Sequence, residues 1–458
     1  MEREPASIFG TIALALVIGF GVAVVTTAED SAKDNFDQAV AKAQYLARQG
    51  IMERGLSYLR SLKPNQLPNH RVDLPSGENS DGERYQGVYV APDQEIPRSR
   101  ANMPPSSYII GATGVADFVD ASGATEEVRQ TESTRAFRVS FASFMHVTDS
   151  EHSIFGEHMM FPVFEDTVFG NVHSNDFLRF FSYTIFAGHV STSQPYFVVE
   201  PPGGNPVFVN YPPEFNAPLI VFPEQAEEAR RCATSAGLSF DGEGRYYFRL
   251  VFRGSDGFWI LRSVIGAPPS DTVYVQFPVL FDVPVFFDAP LELEGTVDGR
   301  YTIAASGDIR LLEDVIYSDS QPNGEIDPHS LNMLGIISES NILIANTPEN
   351  GRWNSSQGLD IIINAALLAL NSFTFEDQND TWDIYSGPSP DDRGVVRLWG
   401  STAQRQRGYV HRSNHGSTGY GRDYHYDPRF SVGSPPCFET VIAEMGYSQF
   451  NIESWGAE

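Results

Sequence analysis

Apolar and polar residues alternate over much of this chain with a period of two. Leu291 and Leu293 alternate with Glu292 and Glu294, and Ile309 and Leu311 flank Arg310. Such alternation predicts strands with one buried face. Gly295, Gly299 and Gly307 fall between the apolar runs. A sharply turning backbone favours glycine at such places because it has no Cβ to clash. Similar short runs follow at residues 334–337, 341–344, 359–363, 372–375 and 395–399, broken by polar loops. The reading is that these segments stack as rungs of a right-handed parallel β-solenoid. Phe137, Val139 and Phe141 alternate with Arg138, Ser140 and Ala142 in the same way. Residues 108–119 and 134–146 are therefore expected as a hairpin or as the first rungs.

The front of the chain follows another rule. Residues 8–27 are uncharged, IFGTIALALVIGFGVAVVTT. About twenty apolar residues are needed for a helix to cross a bilayer, and glycines are tolerated there. An uncleaved anchor is preferred over a signal peptide, whose positive region would here be Arg3 alone, beside Glu2 and Glu4. Phe36, Val40, Ala43, Ala47, Ile51, Leu59 and Leu62 then recur at steps that place most of them on one helical face, and Pro64 and Pro68 end the pattern. The expectation is one long helix, transmembrane first and amphipathic from 29 to 62.

Between these patterns the chain is punctuated. Residues 64–105 are rich in Pro, Gly, Asn and Ser and read as a linker or extended wrap, with a strand at 86–90. A helix is expected over 224–236, ended by Gly237, and a hairpin over 246–252 and 258–265. This stretch reads as a small α+β insertion protruding from the β body. Pro435 and Pro436 near the end suggest a tail that caps an exposed sheet edge. The resulting domains are 1–63, transmembrane and stalk helix; 64–105, linker; 106–204, first β-solenoid part; 205–275, insertion; and 276–458, second β-solenoid part with its cap.

Composition narrows the function. The 458 residues carry a net charge of −28, which repels phosphate backbones and argues against nucleic acid as a partner. Cys232 and Cys437 form a disulfide if the chain is exported, or stand as separate thiols. Asp319, Asn323, Glu325 and Asp327 alternate around Gly324 as oxygen ligands for Ca²⁺ would, although the spacing is not that of an EF-hand, and a solvated loop is preferred. His173 and Asp176 could pair in catalysis or at a metal, but no third partner has a recognisable spacing. Asp308, Glu313 and Asp314 could serve a polysaccharide-acting enzyme of the β-helix type, yet nothing singles out a pair. Arg405, Arg407, Arg412 and Arg422 form a local cationic cluster, expected to pair with acidic neighbours. With Tyr409, Tyr420, Tyr424 and Tyr426 they could instead hold a glycan. No motif for a nucleophile elbow, zinc protease or phosphate loop is present.

Several spaced pieces together resemble the PilX-related assembly proteins of type IV pili, large minor-pilin-like proteins with an associated carboxy-terminal domain of unknown function. They are the apolar helix running into AQYLARQG at 43–50, GNVHSND at 170–176, YTIAASGDI at 301–309, LGII at 334–337, YDPR at 426–429 and the pair Pro435-Pro436. The chain departs from processed prepilins in having no glycine directly before the apolar run, so a membrane-tethered relative or an altered start is expected. The resemblance implies a non-enzymatic structural or assembly role in a pilus or pseudopilus, with adhesion as an extension. It implies a single-pass inner-membrane protein held through residues 8–27, its body in the periplasm or on the cell surface. Its partners would be pilus or envelope subunits, including copies of itself. A β-helix polysaccharide enzyme or a glycan-binding surface protein is the alternative.

Overall fold

The computed structural model describes residues 31–78, 84–93, 107–161, 167–181, 183–200, 204–350, 359–376, 392–412, 418–443, 446 and 448–452. The protein is mainly β, with a helix at its front. It divides into two compact units: Met1–Ile96 with Ser107–Ala136 and Ile452–Glu458, and Pro97–Ser106 with Phe137–Asn451. Among the described residues no helix is long and apolar enough to cross a membrane. The run at 8–27 lies outside them.

In the first unit residues 31–50 are α-helical, Ile51–Leu56 forms a π-turn and Ser57–Arg60 returns to α geometry. The expected stripe is buried at Ala43, Ala47, Ile51 and Leu59, joined by Ala39, Leu46 and Leu56. Phe36 stays exposed, edge-on to Phe118 at 5.3 Å. The helix rests on a sheet in which Arg84–Pro92 pairs antiparallel with Val72–Asp73, Gly77–Glu78 and Ser107–Val119. A Cβ at Gly114 would stand 1.9 Å from the Ala43 carbonyl oxygen, and one at Gly55 would stand 2.1 Å from Ile110 Cγ2. Small residues thus let the helix backbone approach the sheet. Thr125–Arg138 adds the next strand after a turn in which Asp120 accepts the Ser122 and Ala124 N–H groups, each at 2.8 Å. Residues 108–119 and 125–136 therefore belong with the helix, and residues 137–451 with the second unit.

The second unit is built on parallel ladders. One runs through Ser239–Asp241, Val283–Asp288, Arg300–Ala305, Met333–Ser338, Ile361–Ala369 and Asp392–Gln406. Phe144–Ser150 pairs next, at Thr402↔His146, and Asn171–Ser174, Val190–Thr192 and Glu214–Phe215 follow. The spatial order is therefore not the chain order. The chain enters mid-ladder at Phe144, runs out to Phe215, crosses to the opposite end at Ser239 and returns strand by strand to Gln406.

A second parallel ladder explains the alternation in sequence. Phe248, Leu291, Ile309, Ile342 and Phe373 are register partners, as are Leu250, Leu293, Leu311, Ile344 and Phe375. All ten are buried in one apolar core. On three of these rungs the residue between them is charged, Arg249, Glu292 and Arg310: Arg249 pairs with Glu294, and Arg310 with Glu292 and Glu376. At one corner Asn341 Nδ2 donates to Asp308 and Asn371 Nδ2 donates to Asn341, at 3.0 and 2.8 Å.

Three sequence expectations change. Gly295 does not separate two strands. It lies inside Leu291–Val297 with φ of 106°, where a Cβ would sit 2.3 Å from the Phe252 carbonyl oxygen. The stretch expected to protrude is woven into the body. Tyr246–Arg253 pairs in parallel with Leu291–Val297 as well as antiparallel with Phe258–Val264. The helix Glu227–Ala236 ends at Gly237 with φ of 71°, and its Ala229 and Ala233 share a core with Phe286, Ala304 and Ile337. The tail lies on a flank of the ladder rather than over an end: a Cβ at Gly335 would meet Phe438 at 2.5 Å. Cys437 and Cys232 form a disulfide across 205 residues.

Candidate functional site

Where Phe144–Ser150 joins Asp392–Gln406, the second unit has a partly open cavity of about 360 Å³. That volume suits a small ligand. Phe161, Phe169, Phe373 and Val410 give it apolar walls, and Thr402, Gln404, Arg407, Arg422, Tyr424 and His425 give it polar ones.

His146 and Arg407, which line the cavity, belong to a buried charge network. Glu151 pairs with Arg407, and both are almost fully buried. Thr148 Oγ1 donates to Glu151 Oε1 at 2.6 Å, and His146 Nε2 lies 3.3 Å from the same oxygen. Burial alone would raise the Glu151 pKa. The charge of Arg407, with the hydrogen bonds from His146 and Thr148, brings it down to about 2. Burial lowers the pKa of His146, with Glu151 pulling the other way, so the ring is neutral near pH 7. The Arg407 guanidinium also lies 5.1 Å from the Phe161 ring centroid.

One wall is differently arranged. Arg422 has no hydrogen bond or ion pair among the described residues. Burial lowers its pKa to about 10, which leaves it charged at neutral pH. The Tyr424 hydroxyl is buried without a partner among the described residues, and burial pushes its pKa up to about 12. Gln404 Oε1 accepts the N–H groups of Phe373 and Gly408, at 3.0 and 2.8 Å. That fixes the other end of the amide as the NH₂ group, which has no partner among the described residues. Asp423 also borders the cavity, but its oxygens are engaged by Arg397 and by His425, which stacks on Trp399 at 4.0 Å.

The arginine cluster is thus paired at three of its four positions: Arg405 with Glu224, Arg407 with Glu151 and Arg412 with Glu157. Arg422 is the exception. The tyrosines separate too. Tyr420 is buried and donates to the Asn350 carbonyl at 2.7 Å, Tyr409 bonds Glu157, and Tyr424 faces the cavity.

His173 and Asp176 are not brought together. His173 bonds Ser191 and Asn175, at 2.8 and 3.0 Å, while Asp176 takes the Glu151 N–H and lies 2.8 Å from His152 Nδ1. Asp319 accepts from Asn332 Nδ2, Asn323 from the Glu325 N–H and Asp327 from the His329 N–H, in an exposed turn. Glu325 is exposed in the same turn. Among the described residues no three His, Cys, Asp or Glu side chains converge as metal ligands. Asp308 accepts from Asn341, and Asp314, within the strand Ile309–Tyr317, accepts the Ile362 N–H of a neighbouring strand. Glu151, His146 and Gln404 escaped the sequence reading. Their partners lie up to 256 residues away, and no local spacing signals them.

No family model, no curated protein and no solved structure matches this chain.

Proposed function

We propose that this chain is a non-enzymatic structural or assembly protein of the bacterial cell envelope. It belongs in this reading with type IV pilus or pseudopilus components of the minor-pilin-like kind, and adhesion is an extension of that role. Residues 8–27 hold it in the inner membrane, and the body stands in the periplasm or on the surface, where pilus subunits or further copies of the chain are its partners. The body is read as a right-handed parallel β-solenoid. The in-register columns through Leu293 and Ile309 support that reading, since a coiling chain returns equivalent residues to one face at each turn.

The observation that carries the function is the front helix. Its amphipathic part lies with Ala43 against Gly114 of a sheet, and it follows directly on an uncharged run of membrane-spanning length. The Cys232–Cys437 bond supports an oxidising compartment outside the cytosol. Ca²⁺ at Asp319, Asn323, Glu325 and Asp327 is carried with the proposal, and a calorimetric titration without heat at millimolar Ca²⁺ removes it. The main test is membrane fractionation of the full chain in a bacterial host. Retention in the membrane pellet after carbonate, and release once residues 1–28 are deleted, is expected. Quantitative release of the intact chain by carbonate would overturn the proposal.

A further inference from the structure

We infer that the cavity between Phe144–Ser150 and Asp392–Gln406 is a binding site for a small organic acid, its carboxylate held by Arg422, Gln404 and Tyr424 and its body by Phe161, Phe169 and Phe373. The inference rests on donors without acceptors and is independent of the envelope role. In a chain of net charge −28, an arginine ordinarily finds a carboxylate, as Arg405, Arg407 and Arg412 do. Arg422 has none. Lining the same cavity are the Tyr424 hydroxyl, buried and unpartnered among the described residues, and the Gln404 amide. Gln404 is only 5% exposed, and its oxygen is pinned by two backbone N–H groups, so only N–H is left to offer. Buried donors left unmade are costly. The Tyr424 hydroxyl is such a donor, and with Arg422 and the Gln404 NH₂ group lining the same cavity it fits a ligand oxyanion, which accepts from several donors at once.

The same wall rejects a cation. Asp423, the one carboxylate lining the cavity among the described residues, is engaged by Arg397 and His425. Glu151 lies behind Arg407 and is neutralised by it. The phenyl rings of Phe161, Phe169 and Phe373 complete the site with an apolar surface, which suits a ring-bearing acid better than a bare inorganic anion.

The test is calorimetric titration of the purified protein with glucuronate, benzoate, inorganic sulfate, glucose and benzamide. Saturable binding of glucuronate or benzoate, with glucose and benzamide at least about tenfold weaker, is expected. The stronger of the two acids tells whether the natural ligand is an acidic sugar or an aromatic acid. Arg422→Gln should weaken acid binding at least about tenfold, with Arg422→Lys between it and the parent. If Arg422→Gln fails to fold, as judged by circular dichroism, Tyr424→Phe removes a single donor and should weaken binding severalfold. Equal binding of acids and neutral analogues, binding of sulfate alone, unchanged affinity in the folded variants, or no saturable binding would each overturn the inference.

Discussion

Glu151 holds a position that few carboxylates occupy: almost no solvent, one guanidinium and two further donors. Removing one member of a buried pair leaves the other charge uncompensated, at a cost of about 3–5 kcal/mol. Arg407→Met should therefore unfold at lower denaturant, and by more than Arg405→Met, whose partner Glu224 is exposed. The same site sets an acid limit. The folded pKa of Glu151 is depressed to about 2 from an ordinary 4.5, so as pH falls the unfolded chain takes up the proton first. Its contribution is complete above pH 4.5 and disappears as pH drops toward 2. Glu151→Gln should flatten that part of a stability-against-pH curve. An unchanged acid slope would show that other carboxylates govern it.

At the scale of elements, the close approach of helix and sheet is the most sensitive join in the first unit. Gly114→Ala puts a methyl group where the Ala43 carbonyl already stands. Overpacking of this kind costs about 1–3 kcal/mol or more. Thermal melting of that unit should drop by several degrees, while Gly123→Ala, at an open turn, pays only for its backbone conformation with φ of 84°. What could be read beforehand was local. The alternation of Leu291 and Leu293 with two glutamates, and of Ile309 and Leu311 about Arg310, gave strands with a buried face because each strand's pattern is complete in itself. The stripe at Ala43, Ala47 and Ile51 gave the helix for the same reason. Gly295 misled because a bend inside a strand and a turn between two strands both require a residue without Cβ. Arg422 and Tyr424 stood out beforehand in a cationic and aromatic cluster, but their want of partners, and the part played by Gln404, were invisible because a donor without an acceptor is defined by what fails to meet it.

For the whole molecule the disulfide is the longest covalent link. It joins the helix Glu227–Ala236 to the tail across 205 residues. Closing a loop of that length stabilises by restricting the unfolded chain, typically by about 2–4 kcal/mol. Cys232→Ser, or reduction, should lower the denaturation midpoint of the second unit without changing its far-ultraviolet circular dichroism. No change in the midpoint would mean that packing of Phe438 over Gly335 holds the tail unaided.

The mid-ladder entry of the chain has a consequence for biogenesis. Phe144–Ser150 is made early, yet its neighbour at Thr402–Gln406 comes some 250 residues later. Until then one edge of that strand stands bare, and such edges recruit other chains. A polypeptide threaded amino-terminus first through a translocation channel would therefore emerge needing a holding chaperone. Its maturation would be governed by arrival of the final quarter, not by collapse of the first.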